Sequence, residues 1–232
     1  MPTVHRLTAA VALASAAALG LSGCVTKPSR AFPGLSAGQS LDKSVTALRG
    51  ASSFTVSGKT LTKGVATQVN LSISKTGECK GTMSLSTGYL KVVRTQDHVF
   101  VQSDEAFART QTEGLPREEA DQVFKDATTR WMRREASDPA LKGLVGLCDR
   151  DGMLKSFYGL MGTQEGGTTE VDGQKAVTIT AAGHVFRVAA EGEPYLLKVT
   201  QGGPEGIDLA YTGINQPVQV DVPNEKDVYE VD

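Results

Sequence analysis

Residues 68–77 read QVNLSISKTG, and they decide the fold class because apolar and polar side chains alternate strictly along them. Val69, Leu71 and Ile73 fall on one face of this stretch, and the residues between them are polar. A period of two is typical of a half-buried β-strand, and the closing Thr-Gly pair favours a tight turn into the next strand. The stretch therefore predicts a hairpin with one face toward an apolar interior.

The same pattern continues on both sides of this stretch and resumes later in the chain. The predicted strands lie in FTVSGKTLTKG (54–64), CKGTMSLSTG (79–88), YLKVVRTQD (89–97), HVFVQSD (98–104), TTEV (168–171), AVTITAA (176–182), HVFRVAA (184–190), YLLKVTQ (195–201), IDLAYTGI (207–214) and VQVDVP (218–223). About eleven short strands separated by glycine-containing turns predict one continuous antiparallel sheet in a mainly β (α+β) protein. A sheet of that length must curl.

Two parts of the sequence predict helices. Leu41, Val45 and Leu48 share one face of a short helix that ends near Gly50. Residues 104–163 predict a helical insert that covers the concave side of the sheet. In this insert Leu154, Phe157, Tyr158 and Met161 form a stripe at i, i+3, i+4 and i+7, which must bury against the core or line a ligand cavity. The basic cluster RWMRRE, residues 130–135, is interpreted as a solvated turn.

The N-terminus has the organisation of an export signal. Residues 7–21 are an alanine-rich apolar run of 15 residues, which is short for a bilayer-spanning helix of about 20 residues. Leu21, the last residue of this run, forms with Ser22, Gly23 and Cys24 a sequence that resembles a bacterial lipobox, in which the cysteine thiol accepts a diacylglyceryl group. We therefore expect a lipoprotein signal peptide at 1–23, a lipidated Cys24, a flexible tether at 24–37 and one domain at 38–232. An ordinary secretory signal with a chance cysteine is the alternative.

The net charge and the cysteine content argue against some classes of protein and favour an exported protein with a disulfide. The 232 residues carry a formal charge of −2, and without residues 1–23 the charge is −3, a balance that argues against nucleic-acid binding. With Cys24 committed to lipid, Cys79 and Cys148 remain, and an even remainder in an exported protein predicts a disulfide. Their spacing fits neither a CxxC redox pair nor a metal site. Closing a loop of this length contributes roughly 4 kcal/mol in the chain-entropy model.

The sequence offers no convincing active site. GLSAG, residues 34–38, matches the nucleophile pattern of serine hydrolases, but it lies in the predicted tether instead of between a strand and a helix. His98 and His184 lack the neighbouring acids or spacing that a catalytic or metal site needs. We therefore expect a non-enzymatic protein without a metal or other cofactor.

The order of lipobox, tether, helix, five strands, helical insert and six strands resembles the actinobacterial LppX/LprG lipoprotein family. The segments that carry the resemblance include CKGTMSLSTG, VFVQSDEAF, RWMRREASDPALKGLVGLCDRDGML, VDGQKAV and EGEPYLLKV. It implies the half-open β-barrel of the LolA/LolB carriers, with helices on its concave side and an apolar cavity for acyl chains. It also implies a lipid anchor on the outer face of the cytoplasmic membrane.

The function expected from this resemblance is binding or transfer of an acylated lipid or glycolipid by a monomeric, membrane-anchored protein. Cavity candidates from the residue pattern are Val69, Leu71, Ile73, Leu154, Phe157, Tyr158 and Met161. A filled core would use the same residues. The alternative function is therefore a surface interaction module that binds a protein or cell-wall partner.

Overall fold

A computed structural model of the protein describes residues 32–62 and 64–230. The strands are β1 (Ser53–Thr62), β2 (Val65–Ser74), β3 (Cys79–Leu85), β4 (Gly88–Arg94), β5 (His98–Ser103), β6 (Trp131–Glu135), β7 (Gln164–Val171), β8 (Gln174–Ala181), β9 (His184–Ala189), β10 (Leu196–Gln201), β11 (Ile207–Thr212) and β12 (Val228–Glu230). The helices are α1 (Ala37–Gly50), α2 (Glu105–Gln111), α3 (Arg117–Thr129), α4 (Lys142–Leu147) and α5 (Arg150–Lys155). The predicted signal peptide, Cys24 and the tether up to residue 31 lie outside the described residues.

The twelve strands form one sheet, in the order β12-β6-β5-β4-β3-β2-β1-β11-β10-β9-β8-β7. In the described part of the chain, the two edge strands, β12 and β7, are not hydrogen-bonded to each other, so the sheet does not close into a barrel. The predicted mainly β, half-open architecture is confirmed. One pairing differs from the antiparallel prediction, because β12 runs parallel to β6. The sheet is therefore mixed.

Two segments near the β12 edge differ from the sequence prediction. Within RWMRRE, residues 131–135 form strand β6 instead of a solvated turn, because Trp131 and Met132 pack on opposite faces of the sheet. VQVDVP is extended but not a strand, and the edge position beside β6 is taken by β12. Within VQVDVP, Val220 packs on an outer apolar cluster, whereas Val222 is 55% exposed. The alternation of valines there does not mark a strand, because Val222 is largely exposed and the edge position is taken by β12.

The curvature of the sheet has a local cause in β3. Gly81 has φ +150°, and a Cβ built on it would lie 1.9 Å from the carbonyl oxygen of Asn70 on β2. The two backbones thus approach more closely than a residue with a side chain permits. Glycine kinks of this kind bend a sheet, and the concave face that results collects the apolar side chains of the strands.

Helix α1 fills the concave face over β9 and β10. Its cap is Ser36, whose hydroxyl accepts from the Gln39 N–H while the Gln39 side chain accepts from the Ser36 N–H. Leu41, Val45 and Leu48 are fully buried, as their spacing predicts. The GLSAG serine is therefore a helix cap.

The predicted disulfide between Cys79 and Cys148 is present, with Cα atoms 5.7 Å apart. Cys79 opens β3, and Cys148 follows the last turn of α4, so the bridge ties the helical insert to the sheet. Both cysteines are buried.

Candidate functional site

An apolar cleft of about 480 Å³ lies on the concave face, between α2 and α3 on one side and strands β4, β5, β6 and β12 on the other. We call it the apolar cleft. It is lined by Leu90, Val101, Ser103, Phe107, Gln111, Val123, Asp126, Ala127, Met132, Tyr229 and Glu230. Its size falls within the range of about 300–1,000 Å³ that small-molecule pockets span.

The strands supply the floor of the apolar cleft through their register. Leu90 on β4 is opposite Ser103 on β5, and Val101 on β5 is opposite Met132 on β6. Leu90 and Val101 are nearly fully buried, and Met132 is half-buried. Since side chains on one face of a sheet recur at every second residue, these residues present adjoining aliphatic surfaces to the cleft.

Helix α2 is held against β4 by a close contact at Gly88. Asp104 caps α2 by accepting from the Phe107 N–H at 2.8 Å. A Cβ on Gly88, where φ is +139°, would lie 2.4 Å from that same nitrogen and 2.5 Å from Asp104 Oδ1. Only glycine permits this approach. The contact places Phe107 in the wall of the apolar cleft.

Helix α3 covers the apolar cleft more loosely. All of its residues are described, and each side chain is at least partly exposed. Its C-terminal turn is tied to β5, because Ser103 Oγ donates to the Ala127 carbonyl at 3.2 Å. Nearer its middle, Phe124 meets the Arg109 guanidinium of α2, whose Cζ lies 4.9 Å from the ring centroid. We refer to α2 and α3 together as the α2–α3 cover.

Arg130, directly after α3, joins this cover to the sheet edge. Its guanidinium donates to the Val228 carbonyl of β12, lies 3.1 Å from Asp126 Oδ1, and stacks over Tyr229 with Cζ 5.6 Å from the ring centroid. The hydrogen bond from Gln122 at 2.6 Å, together with Arg130, lowers the pKa of Asp126. Burial raises the pKa of Tyr229. One end of the cover is therefore anchored by charge and hydrogen bonding.

None of the cavity candidates from the sequence lines the apolar cleft, and all of them except Met161 belong to the main core. Their exposed fractions are 7% for Val69, 1% for Leu71, 0% for Ile73, 0% for Leu154 and 4% for Phe157. Tyr158 is half-buried, and its hydroxyl lies 3.2 Å from Thr46 Oγ1 of α1. Contact between these residues and a ligand stays a prediction.

Met161 does not belong to the buried stripe, so that part of the sequence prediction is wrong. Its side chain is 86% exposed. Helix α5 ends at Lys155, and Gly159 and Gly162 have φ values of +64° and +68°. These left-handed positions break the helical period on which the spacing of Met161 relied.

The residues that form the apolar cleft were not among the cavity candidates chosen from the sequence. Val123 and Ala127 are four residues apart and so share a face of α3, which is a signal in the sequence. The adjacent apolar residues Trp131 and Met132 are a second signal, which the three arginines of RWMRRE obscured. Those arginines are paired: Arg130 with Asp126, Arg133 with Glu225 and Glu230, and Arg134 with Asp138.

The walls of the apolar cleft suit hydrocarbon. Burying a methylene group against aliphatic and aromatic side chains contributes about 0.8 kcal/mol. Within residues 32–62 and 64–230, no cluster of three or more His, Cys, Asp or Glu side chains could hold a metal ion. In that same part of the chain, no helix is long and apolar enough to cross a membrane.

These features define a half-open β-barrel whose concave face carries helices and an apolar cleft. Among solved structures, the fold is similar to LprF from Mycobacterium bovis, at 13% identity, with 81% of this chain and 96% of that chain covered and a TM-score of 0.55. At 13% identity the match shows a shared fold alone. At the level of the fold, it confirms the resemblance to the LppX/LprG family. An uncharacterized conserved protein from Thermus thermophilus also aligns, at 10% identity over 85% of this chain and 100% of that chain, but its TM-score of 0.37 carries no weight. No protein-family model and no curated protein matches the sequence.

Proposed function

We propose that the protein binds an acylated lipid or glycolipid in the apolar cleft, and carries it as a monomeric, non-enzymatic lipoprotein on the outer face of the cytoplasmic membrane. The observation that supports this proposal most is an apolar cleft of about 480 Å³ on the concave face of an LprF-like fold. The loosely packed α3 above it suits a ligand that enters by displacing the helix.

The test is native mass spectrometry of residues 25–232, expressed without the anchor. We expect species of lipid mass to co-purify, or offered phospholipid to be retained under mild gas-phase activation. In Val123→Glu a carboxylate enters the apolar cleft, and lipid retention should fall about tenfold or more because an unpaired charge is costly among apolar walls. The matched control is Val222→Glu, at a valine that is 55% exposed. Equal retention by both variants would exclude the apolar cleft as the site.

The alternative, a surface interaction module with a filled core, is favoured by one observation. Val69, Leu71, Ile73 and Leu154 are packed in the core with at most 7% exposure. A clean unliganded mass, with no uptake of offered phospholipid, would favour this alternative over the lipid-binding proposal.

Anchoring at Cys24 is a separate proposal, supported by the lipobox-like sequence alone. Lipid chains on that thiol would hold the protein to a membrane, and two or more chains make release slow. We expect Cys24→Ala to leave an uncleaved precursor or a soluble, secreted form, resolved by cell fractionation and intact mass. A mature-length Cys24→Ala band that stays entirely in the membrane fraction would contradict the lipobox interpretation.

A further inference from the structure

A second cleft, of about 930 Å³, lies at the other end of strand β4 from the apolar cleft. Arg94 lines it, whereas Leu90 lines the apolar cleft, and four residues of strand span about 13 Å. We call it the basic cleft. Its cationic residues are Arg49, Lys75, Arg94, Lys142 and Arg150, and its carboxylates are Asp138, Asp149 and Asp151. Five cations against three carboxylates leave a net charge of two positive.

The three carboxylates of the basic cleft are already engaged. Asp151 pairs with Arg49 at 2.7 Å, and Asp138 pairs with Arg134 at 2.6 Å and accepts from the Ala140 N–H at 2.8 Å. Asp149 caps α5 by accepting from the backbone N–H groups of Asp151 and Gly152. They are therefore poorly placed to neutralise further cations in the cleft.

Three cations of the basic cleft are left without a carboxylate. Across the described ranges 32–62 and 64–230, Lys75, Arg94 and Lys142 take part in no ion pair within 4.0 Å. They come from three separate elements: the β2–β3 turn, the end of β4 and the start of α4. Arg94 is partly buried, and its Nε has no hydrogen-bond partner there. Their charges converge on one concavity, and such an arrangement concentrates anions.

Arg150 adds a fixed positive charge to the wall. It is 6% exposed, and its Nη2 donates to the carbonyls of Leu48, Arg49 and Ala51 at the end of α1, at 3.0, 2.6 and 2.8 Å. Its Cζ lies 5.2 Å from the Phe54 ring centroid. Burial lowers the pKa of this guanidinium, yet arginine stays protonated in proteins. Its charge is therefore held in place by the fold.

We propose that the basic cleft binds a phosphate-class anion, with Lys75, Arg94 and Lys142 as its direct partners. The guanidinium of Arg94 can donate two parallel hydrogen bonds to phosphate oxygens, and the two lysines add point charges. A net charge of two positive suits a phosphate group, whether a monoanionic diester or a dianionic monoester, better than a single carboxylate. The phosphate could belong to a lipid headgroup or to a soluble phosphorylated molecule, and both share this chemistry. The site goes beyond lipid binding in the apolar cleft and does not depend on it.

The test uses the full chain in a non-ionic detergent and isothermal titration calorimetry with two probes. Inorganic pyrophosphate represents soluble phosphate, and glycerophosphoglycerol represents the headgroup of an anionic phospholipid. We expect saturable, salt-sensitive binding of at least one probe. The double variant Lys75→Gln/Lys142→Gln should weaken it at least about tenfold, which corresponds to about 1.4 kcal/mol. Arg94→Gln should weaken it by a similar factor. Tighter binding of glycerophosphoglycerol would identify a lipid headgroup, and tighter binding of pyrophosphate would identify a soluble ligand.

The matched control is Lys59→Gln/Lys155→Gln, which removes the same charge from two exposed lysines outside the basic cleft. It should bind both probes within twofold of the unmodified protein. The proposal would be overturned if neither probe bound saturably, if the control lost as much affinity as Lys75→Gln/Lys142→Gln, or if acetate competed as well as phosphate. Val123→Glu should leave phosphate binding unchanged, so this result is independent of the proposed lipid site.

Discussion

The concave face of this sheet is covered in two different ways. Over β9 and β10, helix α1 presents Leu41, Val45 and Leu48, all fully buried. Over β4, β5 and β6, helix α3 leaves every side chain partly exposed, and the apolar cleft lies beneath it. The same curved sheet thus has a filled half and a loosely covered half. Stability should be concentrated in the first, and adaptability to a ligand in the second.

The helix sequences explain this difference. Helix α1 has a capping box and an apolar stripe at i, i+4 and i+7, so it both starts sharply and docks along its length. Helix α3 starts after Pro116 without a side-chain cap, and its apolar residues are few. It is instead fixed at its C-terminal end by polar contacts such as that from Ser103. A helix held at one end can lift at the other.

The disulfide gives the largest expected effect, because it ties the helical insert to the sheet, joining the end of α4 to the start of β3. Replacing both Cys79 and Cys148 with alanine should lower the free energy of unfolding by about 4 kcal/mol, since the bridge closes a loop with a sequence separation of 69 residues. Hydrogen exchange across residues 104–163 should rise first, with β8 to β11 following as stability declines.

Two results would contradict this account of the bridge. One is exchange in residues 104–163 that stays unchanged after the bridge is removed or reduced. The other is free thiols at both positions in protein isolated from the cell envelope.

Gly88→Ala should have the next largest effect and should act on the cover alone. The new Cβ would meet the Phe107 nitrogen at 2.4 Å, and alanine is strained at φ +139°. Strain and overpacking together should cost about 3 kcal/mol. We expect faster hydrogen exchange in α2 and reduced lipid retention, while exchange in α1 stays unchanged.

Gly143→Ala is the control for this variant. Gly143 lies in α4, and a Cβ there meets nothing within 4 Å, so alanine should be neutral or slightly stabilising. If α1 loosened as much as α2 in Gly88→Ala, the two halves would not be independent.

Two valine-to-alanine variants compare how tightly the two halves are packed. Val45→Ala removes two buried methyl groups from α1 and should cost about 2 kcal/mol. Val123→Ala removes the same groups beside the apolar cleft, where they are half-buried, and should cost less than about 1 kcal/mol. Urea denaturation of both variants gives the comparison. Equal losses would mean that α3 is packed as tightly as α1.

The filled half could be predicted well from the sequence, because its signals are local and agree with one another. The stripe of α1, the strict alternation of Val69, Leu71 and Ile73, and the glycine turns all indicate the structure that is observed. The disulfide could be predicted from the even cysteine remainder, although its geometry could not. Register and strand order involve residues distant in sequence, and the family resemblance supplied the architecture.

The loosely covered half was predicted less well, for physical reasons. Strand β6 carries Arg133 and Arg134, and Arg133 is neutralised by Glu225 and Glu230, which are 92 and 97 residues away in sequence. No local pattern reveals the pairing of Arg133. Strand β12 has only three residues and pairs in parallel, which gives no hairpin signal. The apolar cleft is built from these elements, so its residues could not be chosen from periodicity alone.

The smallest expected effect concerns the anchored end of α3 and its response to acid. The hydrogen bond from Gln122 and the charge of Arg130 lower the pKa of Asp126 below its ordinary value of 3.8 in the folded protein. The ionised carboxylate therefore stabilises the fold above about pH 4. That contribution is lost as the pH falls through the lowered folded pKa, because the unfolded state binds the proton first. Since Arg130 is 39% exposed, the effect should be below about 1 kcal/mol.

The measurement is the difference in unfolding free energy between the unmodified protein and Asp126→Asn, which should be largest above pH 5 and shrink toward pH 2.5. Asp121→Asn makes the same charge change on α3 at a carboxylate that is 79% exposed and 4.0 Å from Arg117, and it should leave stability nearly unchanged. A difference for Asp126→Asn that is the same at pH 3 and pH 7 would show that its carboxylate does not hold this end of the cover to the sheet.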